Sequence, residues 1–171
     1  MPATYTFIAS NTLSTSAASV TFSSIPSTYT DLVLRMSPRD TQGATDSQCF
    51  IKPNSNSGTV YTDTRMTGNG STAISTRNAS NANGNVVGFY SASSATANTF
   101  GSLEVYIPNY AEAAVKQIVT FGTAESNAAE VRLSVTGGLF NNTTAISSLL
   151  INAGNNFVAG SSFFLYGIKN T

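Results

Sequence analysis

The stretch SSFFLYGIK, Ser161–Lys169, has the pattern that decides the fold. Successive side chains of a strand point to opposite faces of a sheet, so Phe164 and Tyr166 share one face while Phe163 and Leu165 share the other. Both faces are therefore apolar. Such a strand is predicted to lie centrally in its sheet or to be covered by a neighbouring chain, because a free edge would invite unwanted pairing.

The glycine within this stretch, Gly167, leaves room on the second face for a close backbone segment or a bulky neighbour. Chain ends usually fray, yet this one is apolar enough to close the core. Truncation before Gly160 is accordingly predicted to prevent folding.

Short apolar alternations separated by turn residues recur along the rest of the chain, which is typical of all-β proteins. The segment DLVLRM, Asp31–Met36, is too apolar for one face alone and is predicted to be buried on both sides. The segment EVRLSVTG, Glu130–Gly137, alternates clearly. We predict a single domain over residues 1–171 with about ten strands, forming an antiparallel β-sandwich of the jelly-roll type or a small barrel.

One long segment interrupts this pattern. Thr67–Asn85, TGNGSTAISTRNASNANGN, is almost entirely small and polar, and it is predicted to be a long polar loop. Loops of this length in compact domains tend to be functional. The loop is expected either to be held by a neighbouring chain or to fold over its own domain.

The composition restricts the kinds of partner. Only 9% of the 171 residues are charged, and the eight basic residues cancel the eight acidic ones. Such a small basic stock argues against nucleic-acid binding and against a polybasic membrane anchor. A near-neutral surface favours association over repulsion, so a homo-oligomer or a larger assembly is expected. The opening MPATYTFIAS lacks the features of a signal peptide, so synthesis in a cytoplasm is expected.

The composition also removes most catalytic chemistry. The chain has no histidine, which is the commonest general base and a member of the usual catalytic triads. The carboxylates are scattered singly, and Asp40–Asp46 lacks the spacing of an EF-hand calcium loop. Cys49 has no histidine to activate it and is expected to be buried. We therefore expect no enzymatic activity, no cofactor and no metal.

Polar and aromatic residues near turns are the remaining candidates for contact with an assembly partner or a glycan. Tyrosine anchors interfaces and stacks on sugars, although in a sandwich it is also a routine strand residue. Tyr110 stands out because it follows Pro108 in a loop. The candidate contact residues are Arg65, Arg77, Asn78, Tyr90, Asn109 and Tyr110.

Three stretches carry a resemblance to a known family: Tyr5–Met36, the segment VYIPNYA at Val105–Ala111, and Gly137–Lys169. They cover nearly half of the chain, and they resemble the structural proteins of tailed-bacteriophage virions, including capsid decoration and tail-fibre-like β-sandwich proteins. In that family a tryptophan often follows Gly-Leu in the third stretch. Here Phe140 takes its place, which keeps an aromatic ring and removes the indole donor.

The resemblance implies a non-enzymatic β-sandwich protein located in the virion and made in the host cytoplasm. The first expectation is a capsid cement or decoration protein that stabilises the shell through contacts between subunits. Its partners would be the major capsid protein or tail proteins. The alternative is a tail-fibre or adhesin module that binds a glycan on the host surface.

Overall fold

The computed structural model describes residues 4–125, 127 and 131–169, which form strands joined by turns. No helix in this part of the chain is long and apolar enough to cross a membrane. The strands are β1 (Tyr5–Thr12), β2 (Ala17–Phe22), β3 (Asp31–Ser37), β4 (Asp46–Pro53), β5 (Tyr61–Gly68), β6 (Ala73–Asn81), β7 (Asn85–Ser91), β8 (Ser102–Ile107), β9 (Lys116–Ala124), β10 (Arg132–Phe140), β11 (Leu149–Phe157) and β12 (Ser162–Ile168).

The strands form two antiparallel sheets that pack face to face. The large sheet has eight strands in the order β1-β12-β3-β8-β9-β10-β5-β6, and the small sheet has four in the order β2-β11-β4-β7. One cluster of buried side chains lies between them, with Leu34, Val105 and Ile118 from the large sheet and Ile51 and Leu149 from the small one. The prediction of an all-β, jelly-roll-like sandwich is confirmed, with twelve strands among the described residues where about ten were predicted.

The closing strand is central, as its sequence predicted. β12 pairs with β1 on one side and with β3 on the other. Phe163 and Leu165 are fully buried, and the ring of Phe163 packs edge-on against Phe157 at 5.0 Å between centroids. Phe164 and Tyr166 are half-buried on the opposite face. The prediction that β3 is buried on both sides also holds for most of that strand, Arg35 being exposed.

Gly167 is a glycine because a tyrosine ring occupies its core side. A Cβ atom at this position would lie 2.3 Å from Cγ of Tyr29, which is far inside van der Waals contact. The bulky neighbour expected from the sequence is therefore this half-buried tyrosine from the β2–β3 connection.

The prediction of a long loop at 67–85 is wrong. The segment forms the turn and second strand of a hairpin, in which β6 pairs with β5 at the edge of the large sheet. Asn69 closes the turn, since its Oδ1 accepts the backbone N–H of Ser71 and Thr72. β6 lacks the apolar alternation used to predict strands because it is mostly solvated and is held largely by backbone pairing with β5.

Candidate functional site

The outer face of the large sheet, turned away from the small sheet, presents an unusual apolar surface. Met66, Phe121, Leu133 and Val135 are 62%, 53%, 63% and 41% exposed. Together with Val119 they form a group on the adjacent strands β5, β10 and β9, which we term the apolar patch. Contiguous exposed apolar surface of this kind marks interaction sites in soluble proteins.

Strand register aligns this patch with charged and aromatic residues. Phe121 faces Val135, and Val135 faces Met66. The complete row across the outer face runs Ser10, Phe164, Arg35, Glu104, Phe121, Val135, Met66 and Ser75. A shallow groove of about 430 Å³ lies beside the patch, and the ion pair between Arg35 Nε and Glu104 Oε2, at 2.8 Å, forms part of its lining.

Beneath the apolar patch, β9 and β10 place small residues on the core side, Gly122 and Ser134 among them. β7 packs closely against this part of the large sheet: a Cβ atom on Gly88 would lie 3.0 Å from Ser134 Oγ and 3.3 Å from Gly122 Cα. Only side chains as small as these fit at such a separation. Ser134 is therefore buried, and the flanking residues Leu133 and Val135 point outward.

A second candidate site is centred on Arg65, which lies on the inner side of β5 and is only 8% exposed. Its Nη1 donates to Gln48 Oε1 at 3.2 Å, and its guanidinium carbon lies 5.2 Å from the centroid of the Phe89 ring. Its Nε is enclosed and has no hydrogen-bond partner among the described residues. Burial lowers the pKa of Arg65, and the nearby charge of Asp63 opposes that shift.

Arg65 forms one wall of a polar groove of about 260 Å³ between the β5–β6 hairpin and the small sheet. We term it the Arg65 groove, and its lining comprises Gln48, Phe50, Arg65, Asn78, Asn81, Asn83, Gly84 and Val86. Asp63 lies beside it, buried, and its Oδ1 accepts a hydrogen bond from Asn78 Nδ2 at 2.9 Å. Burial raises the pKa of Asp63, an effect that the hydrogen bond from Asn78 partly opposes.

The structure brings two of the six candidate contact residues together. Arg65 and Asn78 share the groove. Arg77 is exposed on the other face of β6, where its Nη1 reaches Thr64 Oγ1 at 3.4 Å. Asn109 is exposed in the turn after β8, where its backbone N–H donates to Asp31 Oδ1 at 3.0 Å.

The expectation that Tyr90 and Tyr110 reach the surface is wrong, since both side chains are fully buried. The Tyr90 hydroxyl donates to Asp40 Oδ2 at 2.8 Å, and burial raises its pKa. The Tyr110 hydroxyl donates to the carbonyl of Pro26. The loop after Pro108 folds back onto the core, so a position outside a strand did not mean exposure.

The acidic segment 40–46 and the lone cysteine are engaged within the fold. Besides the Tyr90 hydroxyl, Asp40 accepts the hydroxyl of Ser47 and the backbone N–H of Gln42. Asp46 forms an ion pair with Arg132, Nε to Oδ2, at 2.5 Å. Cys49 is buried, as predicted, and burial raises the pKa of its thiol.

The sequence reasoning missed the apolar patch and the contribution of Gln48. One signal for the patch was present: Leu133 and Val135 alternate with Ser134 and Thr136, a pattern that leaves one face of the strand polar. Pattern alone does not say which face is buried. Gln48 carried no signal, because its role depends on the approach of β5 to β4.

Comparison with known proteins adds little beyond the architecture. No protein-family model and no curated protein matches the chain. Among solved structures, galectin LEC-6 of Caenorhabditis elegans is similar with a TM-score of 0.39 and 11% identity over 91% of this chain and 94% of its own. CG-16, a homodimeric agglutinin from chicken liver, gives a TM-score of 0.32 and 13% identity over 85% and 98%. Scores this low transfer no ligand and no residue role.

Proposed function

We propose that the chain is a non-enzymatic structural protein of a tailed-bacteriophage virion that decorates and stabilises the capsid shell. It is made in the host cytoplasm and binds the major capsid protein through the apolar patch, with several copies on each particle. The observation that carries the proposal is the patch itself, in which Phe121, Leu133 and Val135 lie outside while small residues occupy the core side.

The location of the patch supports a protein partner. It lies on a face without a deep cavity, and protein interfaces typically combine apolar residues with a polar rim. The ion pair of Arg35 and Glu104 lies next to Phe121 in the same row and provides such a rim. The net charge of zero adds no long-range repulsion between copies. The resemblance of the sequence to phage structural proteins supports a virion as the assembly.

The mechanism is mechanical. Each square ångström of apolar surface removed from water contributes about 25 cal/mol, before the cost of association is subtracted. Contacts that are weak singly become strong when many symmetric copies bind one shell. A protein of this kind needs a rigid scaffold and a complementary face, and it needs no catalytic group.

Two matched valines provide the test. Val135 lies in the apolar patch, and Val115 lies before β9, four residues and about 13 Å along the chain from Val119, the patch residue nearest to it in sequence; the exposures of Val135 and Val115 are 41% and 43%. Binding to isolated phage heads and tails, measured by co-sedimentation, should fall for Val135→Thr and stay unchanged for Val115→Thr. It should fall further for the double variant Leu133→Ser, Val135→Thr. Binding to heads that survives the double variant, or binding to tails alone, would overturn the proposal.

A second candidate function is favoured by the Arg65 groove: a tail-fibre or adhesin module that binds a host-surface glycan. The groove combines a buried cation, four side-chain amides and the ring of Phe50, which are groups that bind sugar hydroxyls and sugar faces. Saturable binding to a glycan array and to whole host cells supports this function. Absence of binding in both assays, with folded protein, rejects it.

A further inference from the structure

Among the residues that the structure describes, the charge on Arg65 has no close counter-ion. Arg35 pairs with Glu104 and Arg132 pairs with Asp46, whereas Arg65 makes no ion pair with any residue that the structure describes. Its Nη1 donates a hydrogen bond to the neutral amide of Gln48. The carboxylate of Asp63 attracts the guanidinium from beyond ion-pair distance. This carboxylate accepts a hydrogen bond from Asn78 instead.

A buried guanidinium in this state is incompletely satisfied. Arginine has five N–H donors in a planar fork, and the Nε–H of Arg65 lacks a partner among the described residues. Burying a charge without a close partner costs several kcal/mol, which a bound anion would offset. Because the Nε–H is closed off from solvent, a ligand carboxylate in the groove would be bound by the terminal N–H groups of the guanidinium, whose fork geometry matches its two oxygens.

The rest of the lining identifies what else the ligand must contain. Four side-chain amides line the groove, from Gln48, Asn78, Asn81 and Asn83. The first three already form hydrogen bonds within the fold, so sugar hydroxyls would use the remaining hydrogen-bonding capacity of these amides and the side-chain amide of Asn83. Phe50 adds a ring for the apolar face of a pyranose. The volume of about 260 Å³ lies just below the ~300–1,000 Å³ of pockets for drug-sized ligands, so it suits a single ring.

We propose that the Arg65 groove binds the carboxylate of one acidic sugar residue, of the hexuronate class, with Arg65 as the carboxylate partner. The proposal rests on the second candidate function and adds the substrate class to it. A phosphorylated sugar fits less well, because a dianion would lie close to the buried Asp63 with Arg65 as the nearest cation. The side-chain amides of the groove would orient the sugar ring, while Arg65 would bind its carboxylate.

Titration of the ¹⁵N-labelled protein with sodium glucuronate, glucose and sodium acetate tests this. Glucuronate should bind at least about tenfold more tightly than glucose or acetate. Tenfold is the difference in affinity expected when one charge-assisted hydrogen bond is absent. The Nε–H resonance of Arg65 should shift on adding glucuronate to the unmodified protein. This readout does not depend on any variant folding.

Matched arginine variants locate the site. Arg65→Lys keeps the charge and loses the fork, so it should weaken glucuronate binding about tenfold. Arg77→Lys, on the other face of β6, should bind like the unmodified protein. Equal affinity for glucose and glucuronate would overturn the acidic-sugar proposal while leaving a glycan-binding module intact. Acetate binding as tight as glucuronate, or no shift at Arg65, would also overturn it.

Discussion

The apolar patch and the Arg65 groove both include residues of strand β5, but one is an exposed apolar surface and the other is a small polar groove. Met66 points outward from β5 into a broad, nearly flat apolar surface. Arg65, its immediate neighbour, points inward into a small polar groove. Because side chains alternate along a strand, one residue step separates a surface suited to a protein from a groove suited to a small polar ligand.

The difference between the two sites follows from which side chains face inward in each region. In the patch, close packing by β7 forces large residues outward, so apolar surface remains for a partner to cover. In the groove, by contrast, the residues that line the cavity carry longer polar side chains, namely a guanidinium, three asparagines and a glutamine. The two regions therefore differ in the size and polarity of the inward-facing side chains, and the two proposed functions depend on separate surfaces.

The largest effect is expected from truncation of the chain after Ala159, which removes β12. β1 and β3 would lose their shared partner, and the buried Phe163 and Leu165 would leave the core. Both surfaces should disappear with the fold. The measurement is near-ultraviolet circular dichroism with urea unfolding. A truncated chain that unfolds cooperatively would contradict the central role of β12.

A pair of glycine substitutions separates the core from the outer face. Gly167→Val should lower the free energy of unfolding by about 1–3 kcal/mol, because its side chain would overlap the ring of Tyr29. Gly137 lies on the exposed side of β10, faces Val119 and has open space beyond it. Gly137→Val should leave stability unchanged or raise it by up to about 1 kcal/mol, because valine is favoured over glycine within a strand.

The same pair sharpens the functional comparison. Since Gly137 adjoins Val119, Gly137→Val enlarges the apolar patch and should strengthen binding to phage heads. It should leave glucuronate binding unchanged, because the groove lies on the other side of the sheet. Equal destabilisation by the two valines in urea unfolding would show that the outer face at Gly137 is covered within the monomer.

The smallest effect is a pH dependence confined to the groove. The folded-state pKa of Asp63 is raised above its ordinary 3.8 by burial, so the fold favours its protonated form. Its contribution to stability is present below that value and is lost as pH rises through the folded-state pKa. The free energy of unfolding of the native chain, minus that of Asp63→Asn, should therefore fall as pH rises from below 3.8 through the raised folded-state pKa.

A matched carboxylate on the outer face provides the control for this titration. Glu104 is exposed and pairs with Arg35, and surface ion pairs contribute about 0–1 kcal/mol. Glu104→Gln should therefore give a small difference throughout the same range. Urea titrations at several pH values measure both series. A difference for Asp63→Asn that rises with pH would mean that the carboxylate is stabilised by its surroundings.

Much of the fold could be read from particular segments of the sequence. The apolar run of β3 and the two-faced pattern of β12 both predicted buried strands, and the structure confirms them. Strand β6 could not be predicted, because an edge strand held largely by backbone pairing needs no apolar alternation. Tyr110 was misjudged because a loop that returns to the core looks, in sequence, like one that leaves it.

The sequence by itself determined an all-β sandwich, a neutral and sparsely charged chain without histidine, and a closing strand that completes the core. These follow from composition and from the two-residue period of strands, which are local properties. Only the tertiary structure decided which face of β10 is buried and which residues meet Arg65. Both depend on contacts between residues far apart in the chain, such as Gly88 with Ser134 and Arg65 with Gln48, which no local pattern specifies.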